Sequence, residues 1–363
     1  MKAPVDDSAG LTSEGAGFVT PEPRLHYLAL ATPEAGATME IAPGVHWLRM
    51  PLPVDLGHIN LWLLEDGAGF TLVDTGMAVP LCAGVWEALE AGLLRRRPLL
   101  RILLTHFHPD HMGCAGWLQQ RDRLPARMAA RAVPAARQMI DGPDAGERAA
   151  ITAYFAAHGM TDAEAFAQRL FAPRPATPIS RMPDINPPLL HGERLAVGDW
   201  NFEVIETEGH AVAQQSFFSA KPALLISGDQ VLPTISPNVS LPASHWGEDP
   251  LGGFLDALDL LEALPEDTLV LPSHGRPFRG LRARTRDLRA HHHGHLELLR
   301  NSIATPRSAF ELMPTLFSRR LSGLHRMLGL HECIAHLEHL VRRGQAVREG
   351  DADVGYHYRQ TPA

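Results

Sequence analysis

The 363-residue sequence predicts an α+β fold in which a sheet-rich body is followed by a small helical module. In the body, short apolar runs separated by turn residues are typical of antiparallel strands, and they begin at Val45–Met50, Ile59–Leu64 and Phe70–Val73. After residue 280, the apolar positions instead recur at helical spacing. A chain of this length can bury a sizeable core in one large and one smaller domain.

The remaining elements follow in a definite order. Val79–Leu94 has helical spacing and Leu99–Leu104 is a compact, buried strand. Later signals predict three more strands of the body, Phe202–Thr207, Ala223–Ser227 and Thr268–Leu271. The C-terminal signals predict three helices and a hairpin, Leu281–Ile303, Ser308–Leu316, Gly323–Arg343 and Ala346–Arg359.

These signals divide the chain into three parts. Residues 1–40 mix Pro, Gly, Ala and Glu without periodicity and predict a loosely ordered leader. Residues 41–280 form the body. Residues 281–363 form the C-terminal module, whose helices followed by a small hairpin suggest a winged helix.

Residues 140–190 predict a helical insertion in the body. Asp144 with Glu147, and Thr161 with Glu164, have the spacing of capping boxes at the starts of two short helices. A proline-rich stretch then returns the chain to the body. We interpret the apolar face of these helices as a lid over a substrate pocket, with packing onto the body as the alternative.

Composition describes an ordinary globular protein, with 45% hydrophobic and 20% charged residues. Residues 1–40 contain no apolar stretch long enough for a signal-peptide core, and no segment approaches a membrane-spanning run, so we expect a cytoplasmic protein without a membrane partner. Cys82, Cys114 and Cys333 cannot all pair with one another, which fits a reducing compartment.

Charge is distributed unevenly along the chain. The net charge is −8, but residues 281–363 hold thirteen arginines against eight acidic residues, so this module carries +5 and the remainder −13. Such asymmetry can mark a nucleic-acid or partner surface, or simply a coding bias toward arginine.

The sharpest local signal is a run of imidazoles and one carboxylate, His106, His108, Asp110 and His111, directly after the strand Leu99–Leu104. Buried imidazoles each need a hydrogen-bond partner, so a fold alone gains little from three in six residues. Imidazole and carboxylate together suit zinc or another borderline divalent metal. Pro109 and Asp110 can open the helix that follows.

Three more metal-type ligands occupy the same kind of position. His210, Asp229 and His274 each follow a predicted strand of the body. In sheet proteins with helices outside, ligands gather beyond the carboxyl ends of strands. We therefore expect these residues to meet the histidine run in one place.

The set of motifs resembles the metallo-beta-lactamase superfamily. The resemblance rests on the His-x-His-x-Asp-His run at 106–111, Val73-Asp74-Thr75-Gly76 upstream, and Gly209-His210, Ser227-Gly228-Asp229 and Ser273-His274-Gly275 downstream. It implies a four-layer αβ/βα sandwich over roughly residues 44–280, with metals at one sheet edge. The C-terminal module is similar to the winged-helix extension of a subgroup of these hydrolases.

The resemblance also implies roles for individual side chains. His106, His108 and His210 would bind one metal, Asp110, His111 and His274 the other, and Asp229 would bridge both. Two zinc ions per chain are expected, with iron or manganese as alternatives. Asp110 and Asp229 are the expected catalytic carboxylates. Asp74 would either fix a ligand from behind or cap the turn before Gly76.

Such a centre predicts a hydrolase. Zinc lowers the pKa of bound water to about 7, so a metal-bound hydroxide can attack an activated acyl bond of a small molecule. A thioester or lactone is favoured over a beta-lactam. The segment Glu208–Ala213 lacks the Thr or Ser with Pro-Gly-His that many members carry, and the insertion at 140–190 is longer than compact members have, which leaves the substrate open.

Other functions fit parts of the pattern. The arginine-rich module could hold RNA or DNA for a metal-dependent nuclease, but the −13 body would repel phosphates, and no aromatic residues interleave with those arginines. Iron redox chemistry and metal binding without turnover are two further alternatives. We expect no nucleic-acid partner, and we expect the module to be a structural or dimerising unit.

A second group of histidines, His291, His292, His293 and His295, lies on the first C-terminal helix. Consecutive helical residues point about 100° apart, so the four cannot chelate together, although His291 and His295 stand one turn apart. We interpret this group as a solvated polar face. Cys114, one turn after His111, is interpreted as a small buried apolar residue, and His245 and Trp246 as candidates to line a pocket.

Overall fold

The computed structural model describes residues 25–172 and 178–361. Most of the expected leader and part of the proline-rich return of the insertion, at 173–177, lie outside the described residues. The described part of the expected leader contains the strand His26–Tyr27 and the beginning of a second strand, Thr38–Ala42.

The described residues form fifteen strands. In chain order these are β1 (His26–Tyr27), β2 (Thr38–Ala42), β3 (Val45–Pro51), β4 (His58–Asp66), β5 (Gly69–Val73), β6 (Leu99–Leu103), β7 (Ala126–Arg127), β8 (Arg194–Val197), β9 (Trp200–Thr207), β10 (Gln214–Ala220), β11 (Ala223–Gly228), β12 (Leu269–Pro272), β13 (Phe278–Arg279), β14 (Ala346–Glu349) and β15 (His357–Gln360). Every strand predicted in the body is present within two residues of its expected bounds.

Eleven α-helices accompany these strands in the described ranges. They are α1 (Pro80–Ala91), α2 (Leu93–Arg96), α3 (Pro109–Met112), α4 (Ala115–Asp122), α5 (Val133–Asp141), α6 (Ala145–Ala157), α7 (Ala163–Leu170), α8 (Pro250–Glu262), α9 (Leu281–Ser302), α10 (Ala309–Leu316) and α11 (Gly323–Arg342). No helix of the described part of the chain is both long and apolar enough to cross a membrane.

The strands assemble into two mixed sheets and a separate hairpin. One sheet has the order β2-β3-β4-β5-β6-β7, the other has the order β1-β13-β12-β11-β10-β9-β8, and β14 pairs with β15. Neighbours are antiparallel except where β5, β6 and β7 run parallel, and where β11 runs parallel to β12. The two sheets face each other, so the predicted four-layer sandwich is confirmed.

Alternation along each strand separates the core into layers. On β3, Trp47 joins the cluster between the sheets, while Leu48 packs on the side of α1 and α4. On β11, Ile226 joins the same central cluster, while Leu225 packs toward α8 and the C-terminal helices. Both sheets are therefore apolar on both faces, and polar groups concentrate at strand ends.

The insertion contains the two expected helices, α6 and α7. Asp144 and Glu147 form the predicted capping box, because each side chain accepts a backbone N–H of the other. The second predicted box is wrong, because α7 begins after Asp162, which makes no capping bond through its side chain. The apolar face of the insertion is buried in the same cluster as α10 and α11.

The C-terminal module comprises α9, α10, α11 and the hairpin of β14 and β15. The apolar face of α11 is covered within the chain, because its residues from Gly329 to Leu340 are buried against neighbouring helices and β14. The exception is Leu324 in its first turn, which is 51% exposed, and a dimerising role for the module stays a prediction. Seven arginines of the module form ion pairs, Arg282, Arg284, Arg286, Arg289, Arg326, Arg348 and Arg359.

Candidate metal centre

Five strand ends bring the predicted ligands to one edge of the sandwich. Asp74 follows β5, His106 follows β6, His210 lies between β9 and β10, Asp229 follows β11 and His274 follows β12. The histidine run leaves β6 and enters α3 with His108 in an extended conformation, just before Pro109 at the helix start. Proline at the first position of a helix costs no helical hydrogen bond, so α3 can begin directly after His108.

A first group comprises His106, His108 and His210. Their nearest ligand atoms all lie within 4.8 Å of one another. Nε2 of His106 is 2.9 Å from Nδ1 of His108, and the ring of His210 stands 5.1 Å and 4.7 Å from theirs. This is one of the two ligand sets that the resemblance implied.

A second group comprises Asp110, His111 and His274, again within 4.8 Å of one another. Oδ2 of Asp110 is 3.6 Å from Nε2 of His111 and 3.3 Å from Nε2 of His274. This is the other implied set, and the structure brings all three of its members together.

Asp229 lies between the two groups. Its Oδ1 is 3.4 Å from Nε2 of His111 and 3.6 Å from Nε2 of His274. Its Oδ2 is 3.4 Å from Nε2 of His210. Each carboxylate oxygen therefore faces a different group, which is the placement that a bridging ligand requires.

The outer nitrogens of three imidazoles are held by fixed acceptors. Nδ1 of His111 donates to Oδ2 of Asp74 at 2.8 Å, Nδ1 of His210 to the Asn238 carbonyl at 3.0 Å, and Nδ1 of His274 to the His58 carbonyl at 2.8 Å. A carbonyl or carboxylate can only accept, so the proton sits on Nδ1 in each ring. Their Nε2 atoms face the carboxylates of Asp110 and Asp229 at the centre.

Four buried atoms of the centre lack a hydrogen-bond partner: Nε2 of His111, His210 and His274, and Oδ1 of Asp229. Leaving a buried polar group unpaired costs about 1–3 kcal/mol, so four together demand a compensating ligand. Imidazole and carboxylate atoms of this kind are ligands of divalent metal ions. The residues present therefore fit the metal centre that the motifs predicted.

The electrostatics of the centre also favour a bound cation. Burial opposes ionisation of Asp110 and Asp229, yet the neighbouring His111 keeps the pKa of both carboxyls low, that of Asp110 at about 2. Burial likewise opposes a charged His111, but the carboxylates around it, Asp229 first, raise its pKa well above the ordinary value. The site thus stabilises positive charge, which a divalent cation would supply.

Asp74 makes the contact that an orienting role requires. Besides His111, its carboxylate accepts from the backbone N–H and the hydroxyl of Thr105, each at 2.8 Å. The backbone of Asp74 is left-handed, with φ at 60°, a conformation that aspartate tolerates better than most residues. These bonds tie the end of β5 to the start of the histidine run.

Sequence reasoning did not identify Asn238 and His58, which hold ligands through their main-chain carbonyls. Every residue has a carbonyl, so no sequence signal could have singled them out. Cys114 is buried, and its thiol donates to the Met77 carbonyl. Burial raises the pKa of this thiol to about 12, consistent with a packing residue.

A cavity of about 430 Å³ contains the expected His245 in its lining. The wall includes Val212, two residues after His210, and Gln138 and Arg131 from around α5. Trp246 instead packs edge-on against Tyr154. The beginning of the insertion, rather than its apolar face, thus contributes to this cavity.

The interpretation of the second histidine group as a solvated face is wrong for His292 and His295. His292 is fully buried and His295 is 7% exposed, whereas His293 is exposed. The difference arises because α11 packs across this face of α9, which the pattern of a single helix cannot reveal.

The geometry agrees with comparisons to known proteins. The model of the metallo-beta-lactamase superfamily matches residues 54–274, and that of a metallo-beta-lactamase-like C-terminal domain matches residues 296–361. A beta-lactamase domain protein from Burkholderia ambifaria is similar in structure, with a TM-score of 0.85 and 39% identity over 93% of this chain and 99% of that one. A metallo-beta-lactamase family protein from Thermus thermophilus has a TM-score of 0.71 and 30% identity, over 88% and 100%.

Among curated relatives, a hydroxyacylglutathione hydrolase from Rhodospirillum rubrum is 32% identical over 94 residues. That match covers 26% of this chain and spans about a third, 34%, of the length of the relative. The family model, by contrast, covers more than half of the chain and includes all seven predicted ligands. The chain belongs to the metallo-beta-lactamase superfamily.

Proposed function

We propose that the chain is a metal-dependent hydrolase with two metal ions, zinc by preference, which cleaves an activated acyl bond of a small molecule. The observation that carries this proposal is the set of four unpartnered buried atoms on His111, His210, His274 and Asp229. Atoms so arranged have no structural use unless a cation joins them. One group of ligands would hold one ion, the other group the second, and Asp229 would face both.

When bound, two divalent ions would act as Lewis acids and make water acidic enough to react near neutral pH. The protein supplies orientation. Asp74 holds His111, the Asn238 carbonyl holds His210, and the His58 carbonyl holds His274, so that the ligands cannot rotate away.

Asp110 is suited to orient water rather than to abstract a proton from it. Its pKa of about 2 keeps the carboxylate ionised, and a group so acidic is a weak base at neutral pH. Its side chain is 16% exposed, so Oδ2 can accept a hydrogen bond from a water molecule entering the centre.

The substrate class that we favour is a thioester, followed by a lactone. A hydroxyacylglutathione is a thioester by its chemistry, and a hydrolase of that name is among the relatives. A beta-lactam remains a weaker candidate.

A phosphodiester is disfavoured by the charges of the C-terminal module, which we regard as a structural unit that resembles a winged helix. Arg286 and Arg289 pair with Glu262 of the body, and Arg326 pairs with Asp162 of the insertion. These arginines pair with acidic residues outside the module, so their charge is not free to attract phosphates.

The test combines metal analysis with a substrate panel. Protein loaded with zinc should hydrolyse thioesters or lactones, lose activity on chelation and regain it with zinc, while phosphodiesters stay intact. Asp229→Asn, prepared in parallel, controls for contaminating hydrolases. Hydrolysis of phosphodiesters alone, or full activity with a single iron per chain and no zinc, would contradict the proposal.

A further inference from the structure

Outside the metal centre, a second group of metal-type ligands is buried between α9 and α11. His291 and His295 stand one turn apart on α9, and Glu332 and His336 stand one turn apart on α11. Ligand atoms of His295, Glu332 and His336 lie within 4.8 Å of one another, and so do those of His291, His292 and Glu332. We call these five residues the interhelix cluster.

Hydrogen bonds fix the protons of part of the interhelix cluster. Nδ1 of His336 donates to the Glu332 carbonyl at 2.8 Å, so its Nε2 carries a lone pair. Nδ1 of His292 lies 3.0 Å from that Nε2, and Nε2 of His292 lies 3.2 Å from the Ser236 hydroxyl. Nε2 of His336 therefore accepts from Nδ1 of His292, and a metal ion bound by His336 would take the place of this hydrogen bond.

The rest of the interhelix cluster is not explained by hydrogen bonds. His295 is 7% exposed, and its Nδ1 has no hydrogen-bond partner. The Glu332 carboxylate, also 7% exposed, accepts from Nδ2 of Asn238 at 2.8 Å and has no ion pair among the described residues. A fold seldom buries a carboxyl group beside four imidazoles without a compensating charge.

Electrostatics keeps the imidazoles in the form that binds metal. Burial first, and then neighbouring imidazoles, lower the pKa of His295 to about 2, and burial lowers that of His336 to about 4. Burial also raises the pKa of Glu332 to about 7. Burial thus favours the uncharged form of each of these side chains, and neutral imidazole is the form of histidine that binds a divalent ion.

We infer that the interhelix cluster is a second metal site, separate from the hydrolytic centre, that binds one divalent ion such as zinc through His295, Glu332 and His336, whose ligand atoms lie within 4.8 Å of one another. Side chains four residues apart on a helix lie on the same face, so Glu332 and His336 present a pair of ligands from α11, and His295 adds a third from α9. Two imidazoles and one carboxylate fill three positions of a tetrahedral zinc site.

The position of the site gives it a consequence for the hydrolytic centre. Glu332 accepts a hydrogen bond from the Asn238 side chain, and the Asn238 carbonyl accepts from Nδ1 of His210. An ion bound by Glu332 would fix this connection at one end. The second site would thereby fasten the C-terminal module to the loop that holds His210.

Metal counting tests the inference on the full-length protein. The chain is stripped with a chelator, reloaded with Zn²⁺ and freed of excess metal before elemental analysis. We expect His295→Ala to bind about one zinc ion fewer per chain than the wild type. His293→Ala, an exposed neighbour on the same helix, is the matched control and should bind as much zinc as the wild type.

Glu332→Gln provides a second variant that keeps an oxygen for Asn238 and removes the negative charge. It decides the question if His295→Ala does not fold, and it too should lose about one zinc ion. Anomalous scattering at the zinc edge should place a peak between α9 and α11, independent of any peak near Asp229. Unchanged zinc content in a folded variant, with no such peak, would overturn the second site. Neither readout depends on hydrolytic activity.

Discussion

The clearest test of the roles in the centre compares two aspartates changed in the same way. Asp74→Asn and Asp229→Asn each replace one carboxylate oxygen by an NH₂ group, which leaves the side chain nearly equal in volume. Asp74 is 2% exposed, and asparagine also tolerates its left-handed backbone, so the change acts through the charge and hydrogen bonds of the side chain and not through the backbone. Asp256→Asn, on the exposed side of α8, is the control for the substitution itself.

The structure sets the expected magnitude for Asp74→Asn. An amide can still accept from Thr105, but its NH₂ group faces Nδ1 of His111, which is itself a donor. Losing one hydrogen bond to a charged group costs about 1.5–3 kcal/mol. At about 1.4 kcal/mol per factor of ten, this predicts a loss of about 10–100-fold in metal affinity or activity.

Asp229→Asn should cost more. The two oxygens of Asp229 face different groups, His210 on one side and His111 with His274 on the other. An amide weakens the hold on both sites, so we expect a loss beyond about 100-fold.

The assay measures kcat/KM on the best acyl substrate, together with metal content and zinc affinity by chelator competition. Normalising activity to bound zinc separates lost metal from lost orientation. If Asp74→Asn, fully loaded, is the more damaged variant, the assignment of Asp229 to both groups is wrong.

Three further predictions concern stability and partners. His158 is fully buried, and burial together with His331 lowers its pKa to about 3. Below pH 6.5 the unfolded chain takes up a proton that folded His158 refuses, so the free energy of unfolding falls with pH by up to about 1.4 kcal/mol per unit until pH 3. In His158→Phe, the free energy of unfolding measured with urea should depend less on pH between pH 6 and 4, by up to that amount per unit. The same pH dependence in the variant and the wild type would contradict the prediction. Phe155→Ala should lower stability by about 3–5 kcal/mol without reordering acyl substrates by chain length, because Phe155 is buried with the C-terminal helices. A changed ranking at constant stability would restore the lid. RNA binding should stay weaker than micromolar at physiological salt, and tighter binding with a steep salt dependence, lost on deleting residues 281–363, would revive the nuclease.

Much of the centre could be predicted because its ligands follow strands. The apolar runs before His106, Asp229 and His274 are periodic signals, and ligands at the carboxyl ends of strands meet at the same edge of a sheet. The residue types alone indicated a borderline divalent metal. The order of the motifs indicated the superfamily, and the family model confirms it.

The surroundings of those ligands could not be predicted. His210 and His274 are held by the carbonyls of Asn238 and His58, and a carbonyl is common to every residue. The apolar face of α6 and α7 indicated burial but not the partner. A lid was expected, whereas the face packs with the C-terminal helices.

The interhelix cluster shows most clearly what the sequence determined and what only the tertiary structure decided. The sequence determined that His291 and His295 share one face of a helix, and Glu332 and His336 one face of another. Only the packing of α9 against α11 brought the two helix faces together and buried His295, Glu332 and His336. Periodicity reports which side of an element is buried, because it is a property of neighbouring residues. Which distant side chain meets that face depends on the tertiary packing of the whole chain.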